Sequence, residues 1–137
     1  MVQDRAELND ALAAQAFRTF SIQMTNSSGT VLVLQNFFLT GGSWVTPPQA
    51  GSSVNPGDTK QYDNFTDAAF TGLGGQMVFI PTTGGTITVN WNWPWGGLAT
   101  GSATAANLSG ISVSSTVINQ NTSNPILQVT ILNAPST

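Results

Sequence analysis

A chain of 137 residues with 40% hydrophobic side chains is long enough for one domain with a sizeable core. It contains no cysteine and no histidine, which excludes disulfides, thiolate chemistry and the usual proton shuttle near neutral pH. Three basic and six acidic residues give a net charge of −3, too few cations for a phosphate backbone, so nucleic acid is not an expected partner.

No apolar run approaches the roughly 20 residues of a membrane-spanning helix. The opening MVQDRAELNDALAAQAF is broken by acidic residues and has no recognisable signal-peptide core, so export would need another route or a leader already trimmed. Asp4 as N-cap with Glu7 three residues on predicts a helix start, and Leu8, Ala11, Leu12 and Gln15 follow at helical spacing. This predicts a short N-terminal helix, marginal by itself. Residues 1–18 are expected to be a helical segment, docked on the domain or acting as a detachable arm. Residues 19–137 are expected to be the β-sandwich domain.

After that segment the chain reads as strands. Phe20, Ile22 and Met24 alternate with polar residues before the turn at Asn26–Gly29. The stretch Thr30 to Leu39 is apolar on both faces and reads as a central strand. Thr59 to Phe65 predicts a further short strand. Gly72, Gly74 and Gly75 read as a flexible hinge before the apolar QMVFIP. In TITVNWNW, Ile87, Val89, Trp91 and Trp93 share one face and Thr88, Asn90 and Asn92 the other. Ile111 to Ile118 and Ile126 to Leu132 complete the series. The pattern predicts an all-β fold, an antiparallel β-sandwich of about seven to nine short strands with a short N-terminal helix.

Charge is confined to two places: the N-terminal segment through Arg18, and a region carrying Asp58, Lys60, Asp63 and Asp67 that reads as one loop. No catalytic set emerges. Serines have no histidine base, the only lysine is Lys60, and the three aspartates match neither a paired-carboxylate site nor an EF-hand. Calcium on Asp58, Asp63, Asp67 and Asn64 remains open beside the plainer reading of a solvated turn. No metal or cofactor is expected, and the chain is not expected to be an enzyme. Asn26, Asn64, Asn107 and Asn121 each open an Asn-x-Ser/Thr pattern, which an Asn/Ser/Thr-rich chain produces by chance.

The four tryptophans are the remaining chemistry. Trp91 is expected mainly in the core, while Pro94 ends the strand and turns Trp95 to the surface. With Trp44 in a proline-rich stretch, Trp93, and Phe70 in a glycine-rich one, an aromatic rim suited to lipid headgroups or a glycan is predicted.

These features, in this order, resemble the aegerolysin family and its bacterial crystal-protein relatives. FSIQMTNSSGTVLVLQN stands where that family has its first two strands and an Asn turn. GGSWVTPP, VNPGDT and FTGLGGQMVFIP are similar to its Gly-x-Trp, Pro-Gly and Gly-rich elements. ITVNWNWPWGG looks like its aromatic strand ending in Pro-Trp-Gly, with Trp93 where the family often has Cys, and ILQVTIL like its last strand. The resemblance implies a small acidic β-sandwich that binds membrane lipid near Trp44, Trp91 and Trp95. It also implies action at a target-cell surface, in cytolysis or insect killing, with a second, larger pore-forming protein as partner. Two alternatives stand beside it. One is a self-assembling crystal or inclusion protein, a homo-oligomer favoured by the weakly charged surface. The other is a carbohydrate-binding module whose indoles stack on sugars.

Overall fold

Period-two geometry decides what each strand buries in the computed structural model, which describes residues 17–135. In β1 (Arg18–Ser27), Phe20, Ile22 and Met24 are wholly buried. β2 (Leu32–Gly41) starts alike, with Leu32 and Leu34 inside, then bulges between Leu34 and Asn36. The extra residue resets the alternation, which is why this strand looks apolar on both faces in the sequence. The two-residue strands β3 (Ser43–Trp44) and β4 (Ser53–Val54) follow. Then come β5 (Thr59–Thr66), β6 (Leu73–Pro81), β7 (Thr86–Trp93), β8 (Thr100–Ala106), β9 (Ile111–Ile118) and β10 (Ile126–Asn133).

The strands form two five-stranded sheets, ordered β3-β5-β1-β10-β9 and β4-β2-β6-β7-β8. The all-β sandwich expected from the sequence is there, with two corrections. The first sheet is mixed, because β1 and β10 run parallel from Ser21↔Ile126 to Ser27↔Leu132. Parallel neighbours need a long crossover, and the rest of the chain supplies it. Ten strands are present among the described residues, more than expected, because β3 and β4 are minimal and β8 has no apolar alternation. The small residues of β8 serve close approach: a Cβ on Gly101 would lie 3.0 Å from Leu127 of the opposite sheet. The predicted N-terminal helix lies outside the described residues, and β1 already begins at Arg18.

The glycine hinge is also corrected. Gly74 and Gly75 are buried residues of β6, and a Cβ on Gly75 would stand 2.6 Å from the Trp91 ring. Gly75 is the space the indole needs. In the charged region the strand expected at Thr59 to Phe65 is present and the loop reading holds only at its ends: Lys60 and Asp63 lie on β5, with Asp58 before it and Asp67 after.

The core joins both sheets. Leu127, Val129 and Ile131 of β10 meet Met77 and Phe79 of β6 and Ile87 and Val89 of β7. Each such side chain contributes roughly 1.5–3 kcal/mol by leaving water. One edge is closed by the Ala103 N–H of β8 donating to Ser115 Oγ of β9. At the other, Trp44 of β3 packs on Phe37 and Trp91, with ring centroids 6.0 and 5.8 Å away.

Candidate functional site: an aromatic tip

Strand registers place several connections at one end of the sandwich. Arg18 opposes Thr66, Gly41 opposes Gly74, and Leu73 opposes Trp93. The β5–β6 and β7–β8 connections therefore emerge together beside the start of β1. In the second of these, the Gly97 N–H donates to the Pro94 carbonyl at 3.0 Å and Gly96 has φ 73°, as a type II turn demands at its third residue. Trp95 occupies the corner. The Trp93 indole donates to the Gly97 carbonyl at 3.2 Å and anchors the turn from beneath.

Phe70 meets Trp95 edge-on, with centroids 4.9 Å apart, and is 76% exposed; Trp95 is 42% exposed. Phe70 also has φ 64°, a left-handed conformation that costs a residue with a Cβ roughly 1–2 kcal/mol. A large apolar ring is thus held outward on strained backbone. Leu98 and Phe17 are exposed at the same end, and Phe17 lies 6.1 Å from Phe65.

Arg18 braces this cluster. Its guanidinium sits 5.0 Å from the Trp93 ring centroid and 4.8 Å from that of Trp95, and its Nη2 donates to the Thr71 carbonyl. Among the described residues its Nε has no partner, and burial pulls its pKa below the ordinary value. A guanidinium stays charged through such a shift. The cation therefore stacks between two indoles while tying the β5–β6 connection to β1. Asp67 is the only acidic side chain on the β5–β6, β7–β8 and β9–β10 connections.

The residues singled out in the sequence separate into layers. Phe70 and Trp95 stand at the surface. Trp93, 8% exposed, and Trp91, 3% exposed, lie beneath or inside. Trp44 is half-buried at the sheet edge, and its ring contacts are Phe37 and Trp91 rather than the tip pair. Sequence reasoning missed Arg18, Phe17 and Leu98. Arg18 was grouped with the N-terminal charges, although its neighbour Phe20 already opens the strand alternation.

The other candidates are absorbed by structure. Asp63 accepts from Ser21 Oγ at 2.6 Å and from Gln61 Nε2 at 3.0 Å, and Asp58 accepts from the Asn55 N–H at 3.1 Å. Among the described residues no group of three or more His, Cys, Asp or Glu could hold a metal ion. Asn26 and Asn64, both at Asn-x-Ser/Thr patterns, are wholly buried with their amides engaged, so neither is accessible to a glycan transferase in the folded state.

No protein-family model matches the chain, and neither does any curated protein. Solved structures do. The chain is similar to IP-1A from Alcaligenes faecalis, with TM-score 0.70 and 12% identity over 93% of this chain and 98% of that one. It is also similar to the lipid-binding protein Nakanori, with TM-score 0.71 and 13% identity over 94% of this chain and 79% of that one. The Xerocomus chrysenteron lectin XCL follows at TM-score 0.52 and 12% identity, covering 82% and 99%. At such identities the likeness is one of fold: this chain shares the β-sandwich of these proteins.

Proposed function

We propose that this chain is a non-enzymatic, aegerolysin-like protein that binds membrane lipid through the Phe70–Trp95 tip. The observation that carries the reading is the outward Phe70, held at φ 64° against an indole that is itself braced by a buried cation. Strain kept at an exposed aromatic is explained by a contact that fold stability does not need. Indole and phenyl rings suit the headgroup boundary, where one side is apolar and the other wet. The fold shared with a lipid-binding protein supports the reading. With a net charge of −3, attraction to anionic lipid cannot drive binding, so ring insertion and neutral hydrogen bonds must.

A cytolytic or insecticidal role at a target-cell surface is the finer form of this proposal. Pore formation would then fall to a second, larger protein. Among the described residues no helix is long and apolar enough to cross a membrane.

Sedimentation of the full chain with vesicles of phosphatidylcholine, of phosphatidylethanolamine, and of sphingomyelin with cholesterol tests the proposal. Binding to at least one composition is expected, little changed by salt. The double variant Phe70→Ala/Trp95→Ala should lose tenfold or more in affinity, since each ring buried at the bilayer is worth roughly 1.5–3 kcal/mol. Absence of binding to every composition, or full binding by the folded double variant, overturns it.

A further inference from the structure

The outer face of the second sheet carries a feature the tip does not use. Beside the tip, this face holds an open groove of about 450 Å³. Its first rung is set by register: Phe38 opposes Gln76, Gln76 opposes Asn90, and Asn90 opposes Ser102. Four strands at the usual spacing make that row about 14 Å long. In the next rung Gly74 opposes Asn92, and Asn92 opposes Thr100. Gly74 contributes no side chain, and Thr40 Oγ1 and Asn92 Oδ1 lie 2.5 and 3.4 Å from where its Cβ would stand. The missing side chain deepens the groove between the two.

The lining is chemically uniform. Gln76, Asn90 and Asn92 engage no side-chain hydrogen bond with any described residue, so three amides keep their donors and acceptors available. Thr100 is the exception, donating to the Asn92 carbonyl at 3.2 Å. Two aromatic residues line the groove: Trp91, 3% exposed, and Phe38, which is 50% exposed and stands at the end of the amide row. Among the described residues no charged side chain lines the groove.

We infer that this groove is a second binding site, taking a neutral carbohydrate, with Phe38 against a sugar face and Gln76, Asn90 and Asn92 on its hydroxyls. A hydroxyl both donates and accepts, and so does a side-chain amide, so a row of free amides matches a polyol. An anionic ligand would meet no cation among the described residues there. An apolar ligand would leave three amides without partners on burial, which costs about 1–3 kcal/mol for each unsatisfied group. The same chemistry is offered by a soluble or protein-borne oligosaccharide and by a glycolipid headgroup.

The test uses the full chain with two probes: an array of neutral and acidic oligosaccharides, and phosphatidylcholine vesicles with and without neutral glycolipids bearing the same sugars. Binding of at least one neutral oligosaccharide is expected, in solution or on the vesicle. Phe38→Ala and Asn90→Ala/Asn92→Ala should each weaken it at least tenfold. Because these side chains are exposed and make no structural hydrogen bond, both variants should keep the parent melting temperature. Phe70→Ala/Trp95→Ala should leave binding of a soluble oligosaccharide unchanged, which separates this site from the tip. Binding on the array and the vesicle identifies the sugar alone as ligand; binding only on the vesicle identifies a glycolipid headgroup. No neutral sugar bound in either format, binding of acidic sugars only, or loss through the tip variant but not the groove variants overturns the inference.

Discussion

The Trp91 indole N–H of β7 donates to Asn64 Oδ1 of β5 at 3.0 Å, a side-chain bond that spans the two sheets. Asn64 is wholly buried and uses its entire amide. Oδ1 also accepts from the Gly74 N–H at 2.9 Å, and Nδ2 donates to the Gly41 and Ser43 carbonyls at 3.0 and 3.2 Å. One neutral side chain therefore fixes the tryptophan, the start of β6 and the turn from β2 to β3. It joins the core to the end of the molecule that carries the tip.

Replacing Asn64 by alanine strands an indole N–H, a backbone N–H and two carbonyls in the interior. With about 1–3 kcal/mol per unsatisfied buried group, and partial relaxation, a loss of about 3 kcal/mol is expected. Chemical denaturation measures it. Loss below about 0.5 kcal/mol, the range of an ordinary surface change, contradicts the hub assigned to Asn64.

Gly75→Ala sets a methyl group 2.6 Å from the Trp91 ring and 2.7 Å from the Phe38 carbonyl. Overpacking of this kind costs about 1–3 kcal/mol. The near-ultraviolet circular dichroism of the indoles should change with it. Gly29→Ala is the control: its Cβ would meet only Asn133 Oδ1 at 3.9 Å, and the change should stay within about 0.5 kcal/mol.

Arg18→Lys retains the charge but not the flat guanidinium that stacks on Trp93 and Trp95. Each lost cation–π contact is worth about 0.5–2 kcal/mol, so a stability loss of about 1–3 kcal/mol is expected. Trp95 should become more mobile, read as lower fluorescence anisotropy in a variant where the other indoles are replaced by phenylalanine. Unchanged stability and unchanged anisotropy together would remove Arg18 as the brace of the tip.

Protonation should matter little from about pH 6 to 9, because the chain has no histidine. One buried group acts at higher pH. Burial raises the Tyr62 pKa above its ordinary 10.0, so the folded state holds that proton more tightly than the unfolded state. Stability therefore falls as pH climbs from about 10 through the folded value. Melting temperatures from about pH 9 upward check this sign. A steep change near neutrality would contradict the assignment, and Tyr62→Phe should remove the fall that begins near pH 10.

Local pattern carried far in some elements and not in others. Phe20, Ile22 and Met24 could be placed inside from their spacing, as could Ile87, Val89 and Trp91, because alternate residues of a strand must share a face. Pro94 marked the end of β7 for a reason equally local: it has no N–H for the ladder. The strand TGSATAA carries no such mark. It is a strand because β7 offers it backbone partners and because Gly101 lets it approach Leu127. At Asn64 and Gly75 the sequence shows only a sequon and a glycine run, since the groups that explain them lie on other strands.

Composition determined that recognition here must do without histidine, cysteine and all but three cations, and alternation between turn residues that the fold is built from strands. Tertiary structure decided which aromatics are displayed. Trp91 and Trp95 sit four residues apart, yet one is locked to a buried amide and the other stands at a turn corner beside Phe70. Alternation assigns a side chain to one face of its own strand, but only the packing of distant strands settles whether that face is covered.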